Sequence, residues 1–129
     1  MMSHSLNRFT GTLGEAEAIR YLQNKGYILQ DTNFYIRGGE IDLIAQTPRG
    51  ALAFIEVKAR RDLTHGKPYE SITPAKLKHL SKSIQLYLLK NKVQGRKLTL
   101  EVVSIIFHSD MTVKRIDHYD DLGSRLRLG

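Results

Sequence analysis

Two short segments place charge where a strand would ordinarily carry apolar side chains: Gly-Gly-Glu-Ile-Asp-Leu-Ile-Ala at residues 38–45 and Phe-Ile-Glu-Val-Lys-Ala-Arg at residues 54–60. Strand alternation puts Glu40 and Asp42 on one face of the first, and Glu56 and Lys58 on one face of the second. Between them, Pro48-Arg49-Gly50 suits a three-residue hairpin loop, with Pro opening a type I turn and Gly taking the left-handed position after it. Such a loop pairs Thr47 with Ala51. Counting back by twos then sets Asp42 opposite Glu56 and Glu40 opposite Lys58. Opposed Cβ atoms lie about 5 Å apart, so two carboxylates there repel unless a cation stands between them. A divalent ion with oxygen ligands at roughly 2.1 to 2.5 Å fits that gap, and Lys58, about 7 Å beyond Glu56 along the strand, reaches the same place.

The chain contains no cysteine, which removes disulfides, thiolate zinc sites and cysteine nucleophiles together. Oxygen-only ligation suits Mg²⁺ or Mn²⁺, ions that keep waters and accept phosphate oxygens as further ligands. The chemistry implied is phosphodiester hydrolysis: the ion lowers the pKa of a bound water and offsets charge growing on the phosphate, while Lys58 orients that water. Glu15 is a third acid, because Ala18, Ile19 and Leu22 follow it at helical spacing, whereas Glu17 falls with Arg20, Tyr21 and Asn24 on the wet face. Glu40, across from Lys58, is read as a group that positions the lysine rather than as a ligand. His65, His79, His108 and His118 show no metal-ligand spacing, and only His65, in a polar loop, merits a test.

The elements that must hold these groups follow from periodicity. Leu13, Ala16, Ile19 and Leu22 mark a helix over residues 12–25, closed by Gly26 as a left-handed cap. Residues 27–34 read as a strand, Gly38-Gly39 as a turn, and residues 40–46 and 51–59 as two more strands. A polar loop over residues 60–72 leads to Thr73 and Pro74, a helix start, with Leu77, Leu80, Ile84 and Leu88 as its buried stripe. Gly95 ends that region. Residues 98–107 are apolar on both faces, as in a strand covered on two sides, and residues 113–119 form a last strand. This order predicts an α/β fold with a mixed sheet between helices. Residues 1–8 are expected to be a disordered arm, residues 9–119 one domain, and residues 120–129 a tail.

The net charge is +7, and its placement is uneven: between Lys58 and Lys97 eleven Lys or Arg stand against two acids. A concentrated basic segment suits a polyanion, and Arg60, Arg61, Lys67, Lys76, Lys78 and Lys82 are the candidate phosphate contacts. No run approaches the ~18 apolar residues of a membrane span and no apolar signal block follows Met1, so no membrane association and a cytoplasmic location are expected.

The motifs together resemble a known family. Gly-x-x-Gly-Glu at residues 11–15, Gly-Tyr-Ile-Leu-Gln-Asp-Thr-Asn-Phe at residues 26–34, the two charged strands, Ile72, Lys76 and Tyr87-Leu88 occur in the order of the YraN family over roughly residues 9–108. That family is similar to archaeal Holliday-junction resolvases and to the PD-(D/E)xK nucleases. The resemblance implies a restriction-endonuclease-like three-layer αβα sandwich with a mixed central sheet. It also implies Glu15 as the helix acid, Asp42 and Glu56 as metal carboxylates, the Val57 carbonyl completing the shell, and Lys58 as the catalytic lysine. Lys76 matches a helix position that assists at the phosphate. Where the family often has Arg-Phe-Asp, this chain reads Leu98-Thr99-Leu100-Glu101. The expected activity is a metal-dependent endonuclease on DNA ahead of RNA, with branched DNA suggested by the resolvases; a homodimer would be needed to cut both strands together. The rival readings are a nucleic-acid-binding module with a vestigial site and an RNA- or ribosome-associated factor.

Overall fold

The computed structural model describes residues 3–37, 39–61, 73–120 and 122. Its elements are α1 (Ser3–Asn24), β1 (Ile28–Ile36), β2 (Gly39–Gln46), β3 (Leu52–Arg60), α2 (Pro74–Lys90), β4 (Leu98–Phe107) and β5 (Val113–Tyr119). The strands form one sheet in the order β1-β2-β3-β4-β5. It is mixed: β3 and β4 run parallel through the α2 crossover, and every other neighbouring pair is antiparallel.

Alternation along the strands sorts the core into two layers. Leu43, Ala45, Ala53, Ile55, Val103 and Ile105 pack with Ala18 and Leu22 of α1. Ile44, Leu52, Phe54, Leu100 and Val102 pack with Leu80 and Tyr87 of α2. The helices therefore cover opposite faces, giving the expected three layers. Among the described residues, no helix is long and apolar enough to cross a membrane.

Local chemistry explains the element ends. Gly26, at φ +93°, lets the Tyr27 N–H close on the Leu22 carbonyl at 3.0 Å, capping α1. Thr73 caps α2, its hydroxyl accepting from the Lys76 N–H at 3.2 Å, with Pro74 in the first turn. The hairpin loop is as its sequence implies: Thr47 N–H donates to the Ala51 carbonyl at 2.8 Å, and Gly50 has φ +86°.

α1 begins earlier than its periodicity suggests, so residues from Ser3 to Arg8, expected in an arm, are helical. Its buried ridge also differs. Ala16 is exposed, and the ridge is Thr10, Gly14, Ala18 and Leu22, each four residues from the next. Small residues on that line bring the helix backbone close to the sheet: a Cβ on Gly14 would collide with Ala59 Cβ on β3. On the other face, a Cβ on Gly39 would stand 2.7 Å from the hydroxyl of Ser83, which lies fully buried on α2. The most buried line of α2 is accordingly Leu80, Ser83 and Tyr87, with Leu77, Ile84 and Leu88 only partly covered beside it. Leu122, expected in the tail, is buried against the α2-side layer. Gly38, the loop residues 62–72 with His65, Lys67 and Ile72, and residues 123–129 lie outside the described residues.

Ala for Gly inside a helix normally stabilises by about 1 kcal/mol. At Gly14 the added methyl meets Ala59, and overpacking of about 1–3 kcal/mol outweighs the gain. Gly14→Ala should lower the urea midpoint, and adding Ala59→Gly should recover most of the loss in the same titration.

Candidate metal and nucleic-acid site

The β2–β3 ladder follows the register set by the loop, from Gln46↔Leu52 to Leu43↔Ile55, and ends there. At the next position a side chain takes over from the backbone: Asp42 Oδ2 accepts from the Val57 N–H at 2.8 Å. Alternation slips at the same place, since Ile41 and Ile44 both join the α2-side layer while Leu43 joins the other. The Asp42 carboxylate is thus directed into the gap between two strands at the rim of the sheet, where both helix layers are within reach.

Glu56 comes to this gap from β3, Glu15 from α1 and Lys76 from the first turn of α2. Asp42 acts electrostatically on both Glu56 and Glu15. Glu56 is 5 % exposed. Its Oε2 lies 3.5 Å from Lys76 Nζ, and its Oε1 is buried with no hydrogen-bond partner among the described residues. Lys58 is half-buried and stands beside Lys76, within the field of Glu56 and Asp42. Glu15 is only partly covered, at the margin of the buried ridge.

Glu40 is placed differently from expectation. Because the ladder has already ended at Leu43, Glu40 does not face Lys58 across it; Glu40 pairs with Tyr35 of β1 and feels Asp42 and Lys76. Tyr35, 69 % exposed, has its hydroxyl directed at Glu40. Lys78 and Lys82 are exposed one turn apart on α2; Arg61 is exposed and Arg60 partly covered at the end of β3.

Burial and mutual repulsion push these groups away from their ordinary charge states. Burial raises Asp42, partly offset by the Val57 N–H, Lys58 and Lys76. Glu56 is pushed up to about 7 by burial and then by Asp42, despite the two lysines. Glu15 and Glu40 are raised by burial first and then by Asp42. Lys58 is lowered by burial and then by Lys76. With all six ionised, four acids face two ammonium groups, a net of −2 that one divalent cation balances. The residues fit such an ion through their all-oxygen donor set and the orphaned Glu56 Oε1. The ligands are not drawn into a tight sphere: no group of three acids or histidines among the described residues is close enough to enclose an ion by itself, so water and phosphate oxygens would fill the remaining positions.

Glu101 belongs elsewhere. It is 1 % exposed on β4 and fully satisfied: Oε1 accepts from Tyr27 Oη at 2.9 Å and from His118 Nε2 at 2.7 Å, and Oε2 accepts from Thr99 Oγ1 at 2.7 Å. His118 Nδ1 is left to accept from Lys25 Nζ at 3.1 Å. This network ties the end of α1 to β4 and β5, and His118 is a partnered core histidine.

Two contributors escape a reading by alternation. Tyr35 is one; the other is Asn33, which sits inside β1 at φ +51° and whose side chain favours the charged form of Glu15. Their one sequence signal is position, in the segment that runs into Gly-Gly-Glu.

Glu56 holds its proton in the fold up to about pH 7, whereas in the unfolded chain it loses it near the ordinary 4.5. Its burial therefore carries no ionisation penalty below the unfolded value, and stability falls as pH rises between the two. The loss reaches up to about 3 kcal/mol in mildly alkaline solution. Without metal, Glu56→Gln should melt above the parent at about pH 8 and lose that advantage by about pH 5. Parallel melting curves across that range would contradict the assignment.

The family described as Uncharacterised protein family UPF0102 matches residues 14–117. The chain is 35% identical over 118 residues to a UPF0102 protein of Trichlorobacter lovleyi, covering 90% of this chain and 93% of that protein. It is 36% identical over 104 residues to one of Persephonella marina, covering 81% and 89%. With a Clostridium tetani relative the identity is 41% over 106 residues, covering 82% and 86%. A match over most of the domain, with relatives of nearly the same length, places the chain in UPF0102, the YraN family.

Proposed function

We propose that this protein is a metal-dependent endonuclease that hydrolyses nucleic-acid phosphodiester bonds, DNA ahead of RNA, with Mg²⁺ or Mn²⁺. The observation that carries the reading is the buried Glu56 Oε1, without a hydrogen-bond partner among the described residues, on a carboxylate within the field of Asp42 and Lys58. A buried carboxylate oxygen is costly to leave unpaired, and a cation repays that cost.

Asp42 and Glu56 would hold the ion, with Glu15 and the Val57 carbonyl completing the protein's share. The Val57 N–H anchors Asp42, so that carboxylate is fixed before any ligand arrives. Bound there, the ion would acidify a water and neutralise charge on the phosphate. Lys58, its ammonium held in a partly desolvated place, donates hydrogen bonds to the attacking water and to the phosphate oxygens as charge develops. Lys76 bridges Glu56 and the phosphate path. Lys78, Lys82, Arg60 and Arg61 neutralise neighbouring phosphates. Lys67 is proposed with them on its sequence position alone. Branched DNA is the substrate to test first, and cutting both strands together calls for a homodimer.

One observation favours a rival. The Lys76–Glu56 pair at 3.5 Å partly compensates Glu56 without an ion, as a non-catalytic binding module would require. An RNA- or ribosome-associated factor would share the same basic surface.

Plasmid and four-way-junction DNA incubated with Mn²⁺ or Mg²⁺ should be nicked by the parent. Lys58→Ala and Asp42→Asn should each lose at least about 100-fold in rate while retaining affinity for DNA. Equal nicking by parent and variants would identify a contaminant, and tight binding with no cleavage would support the binding module. Lys78→Ala with Lys82→Ala should weaken binding uniformly across sequences and reduce the salt dependence by about two phosphate contacts. Tighter binding to RNA than to DNA duplexes would favour the third reading.

A further inference from the structure

The apolar layer on the α2 side of the sheet is covered unevenly. α2 packs chiefly on β2 and β1, while strand alternation puts Leu98, Leu100 and Val102 of β4 on that same face. Leu100 and Val102 are buried, but Leu98 is 41 % exposed. Parallel neighbours such as β3 and β4 need both faces covered. At the start of β4 the described residues do not complete that cover.

An open-sided groove of about 1090 Å³ lies there. Ser81, Ile84, Gln85 and Leu88, a set at i, i+3, i+4 and i+7, form its α2 wall. Phe54, Leu98 and Leu100 contribute from the sheet, and Pro48 and Arg49 from the β2–β3 loop. Arg96 donates to the Gly50 carbonyl at 3.1 Å, which ties that loop to the chain entering β4. Ala51 in the lining and Val57 at the metal gap are separated by most of β3, about 20 Å of extended chain, so an occupant of the groove leaves the gap clear.

The groove has a sign and a texture. Lys25, Arg49 and Lys97 border it against two acids, of which Glu101 is committed to Tyr27, His118 and Thr99, leaving Asp120. Arg49 and Lys97 are exposed and form no ion pair among the described residues. Both aromatic residues of the lining, Tyr27 and Phe54, are buried, so no open ring offers a platform for a nucleobase, and the accessible apolar surface is aliphatic. The volume is at the upper limit for a small ligand and suits a longer chain. Residues 123–129 bring Arg125 and Arg127 and no acid, the wrong charge for this rim.

We propose that the groove docks an acidic segment of a partner protein with aliphatic anchors: Leu or Ile side chains fill the trough beside Leu98, Ile84 and Leu88, and flanking carboxylates meet Arg49 and Lys97. The inference is independent of the metal-site reading.

Random peptides displayed on phage and selected against the immobilised full-length protein should enrich sequences in which Leu or Ile stand among Asp and Glu. By fluorescence anisotropy, a labelled enriched peptide should lose affinity at least about ten-fold in Leu98→Asp, and likewise in Arg49→Glu with Lys97→Glu. Lys58→Ala, at the far end of β3, should bind it as the parent does. Melting curves check the fold; the Arg49→Glu/Lys97→Glu variant, whose changes are on exposed side chains, keeps the test intact if Leu98→Asp melts low. Enrichment of basic or uncharged sequences, no enrichment at all, or unchanged affinity in the groove variants would overturn the proposal. Displacement of the peptide by single-stranded DNA that itself fails to bind those variants would assign the groove to nucleic acid instead and overturn it as well. Tighter peptide binding by Leu126→Ser with Leu128→Ser would do the same in favour of the chain's own end.

Discussion

Carboxylates resist being buried beside one another, and this resistance organises the rim of the sheet where β2 and β3 stop pairing. Asp42 can stay there because it replaces a ladder bond, taking the Val57 N–H at 2.8 Å. Glu56 stays with half of its carboxylate against Lys76 and the other half without a hydrogen-bond partner among the described residues. Everything that brings these groups together elsewhere in the fold is a device for close approach: Gly14 against Ala59 on one face, and Gly39 against Ser83 on the other. The two helices come near enough to contribute Glu15 and Lys76 to one gap from opposite layers.

Glu56 and Glu101 make an informative contrast. They lie on adjacent parallel strands one register step apart, and both are almost fully buried. Glu101 accepts three hydrogen bonds from Tyr27, His118 and Thr99, so its full complement of partners comes from the fold itself. Glu56 has no partner for its Oε1 among the described residues. A buried acid that the fold satisfies is cement; one that the fold leaves short is an offer to something outside it. This also accounts for the Leu-Thr-Leu-Glu start of β4, whose acid is committed to the tie between α1 and β5.

Much of this was legible in the amino-acid order. The loop Pro48-Arg49-Gly50 fixes a register, and a register fixes which acid meets which, so Asp42 and Glu56 could be brought together without coordinates. The apolar run of β4 and the Thr73-Pro74 start of α2 were equally plain, because each rests on local chemistry. What escaped depends on departures from regularity. Strict alternation sends Glu40 to Lys58, but the ladder ends and β2 slips first, so Glu40 goes to Tyr35. Helical periodicity favours large apolar residues and therefore chose Ala16 and Leu13 over Gly14, whose importance is the absence of a side chain. Asn33 reads as an ordinary strand residue until its backbone is seen.

The parallel pairing of β3 with β4 sets the sequence of assembly. α1 and the β1–β2–β3 meander are joined by short connections, so their contacts close little chain, whereas β4 can dock only after the whole α2 crossover has been drawn in. Four of the acids and Lys58 belong to the early half, and Lys76 arrives with the late one. A nascent chain emerging from its N-terminus therefore carries all four acids and Lys58 before Lys76, the second ammonium group of the site, has been synthesised.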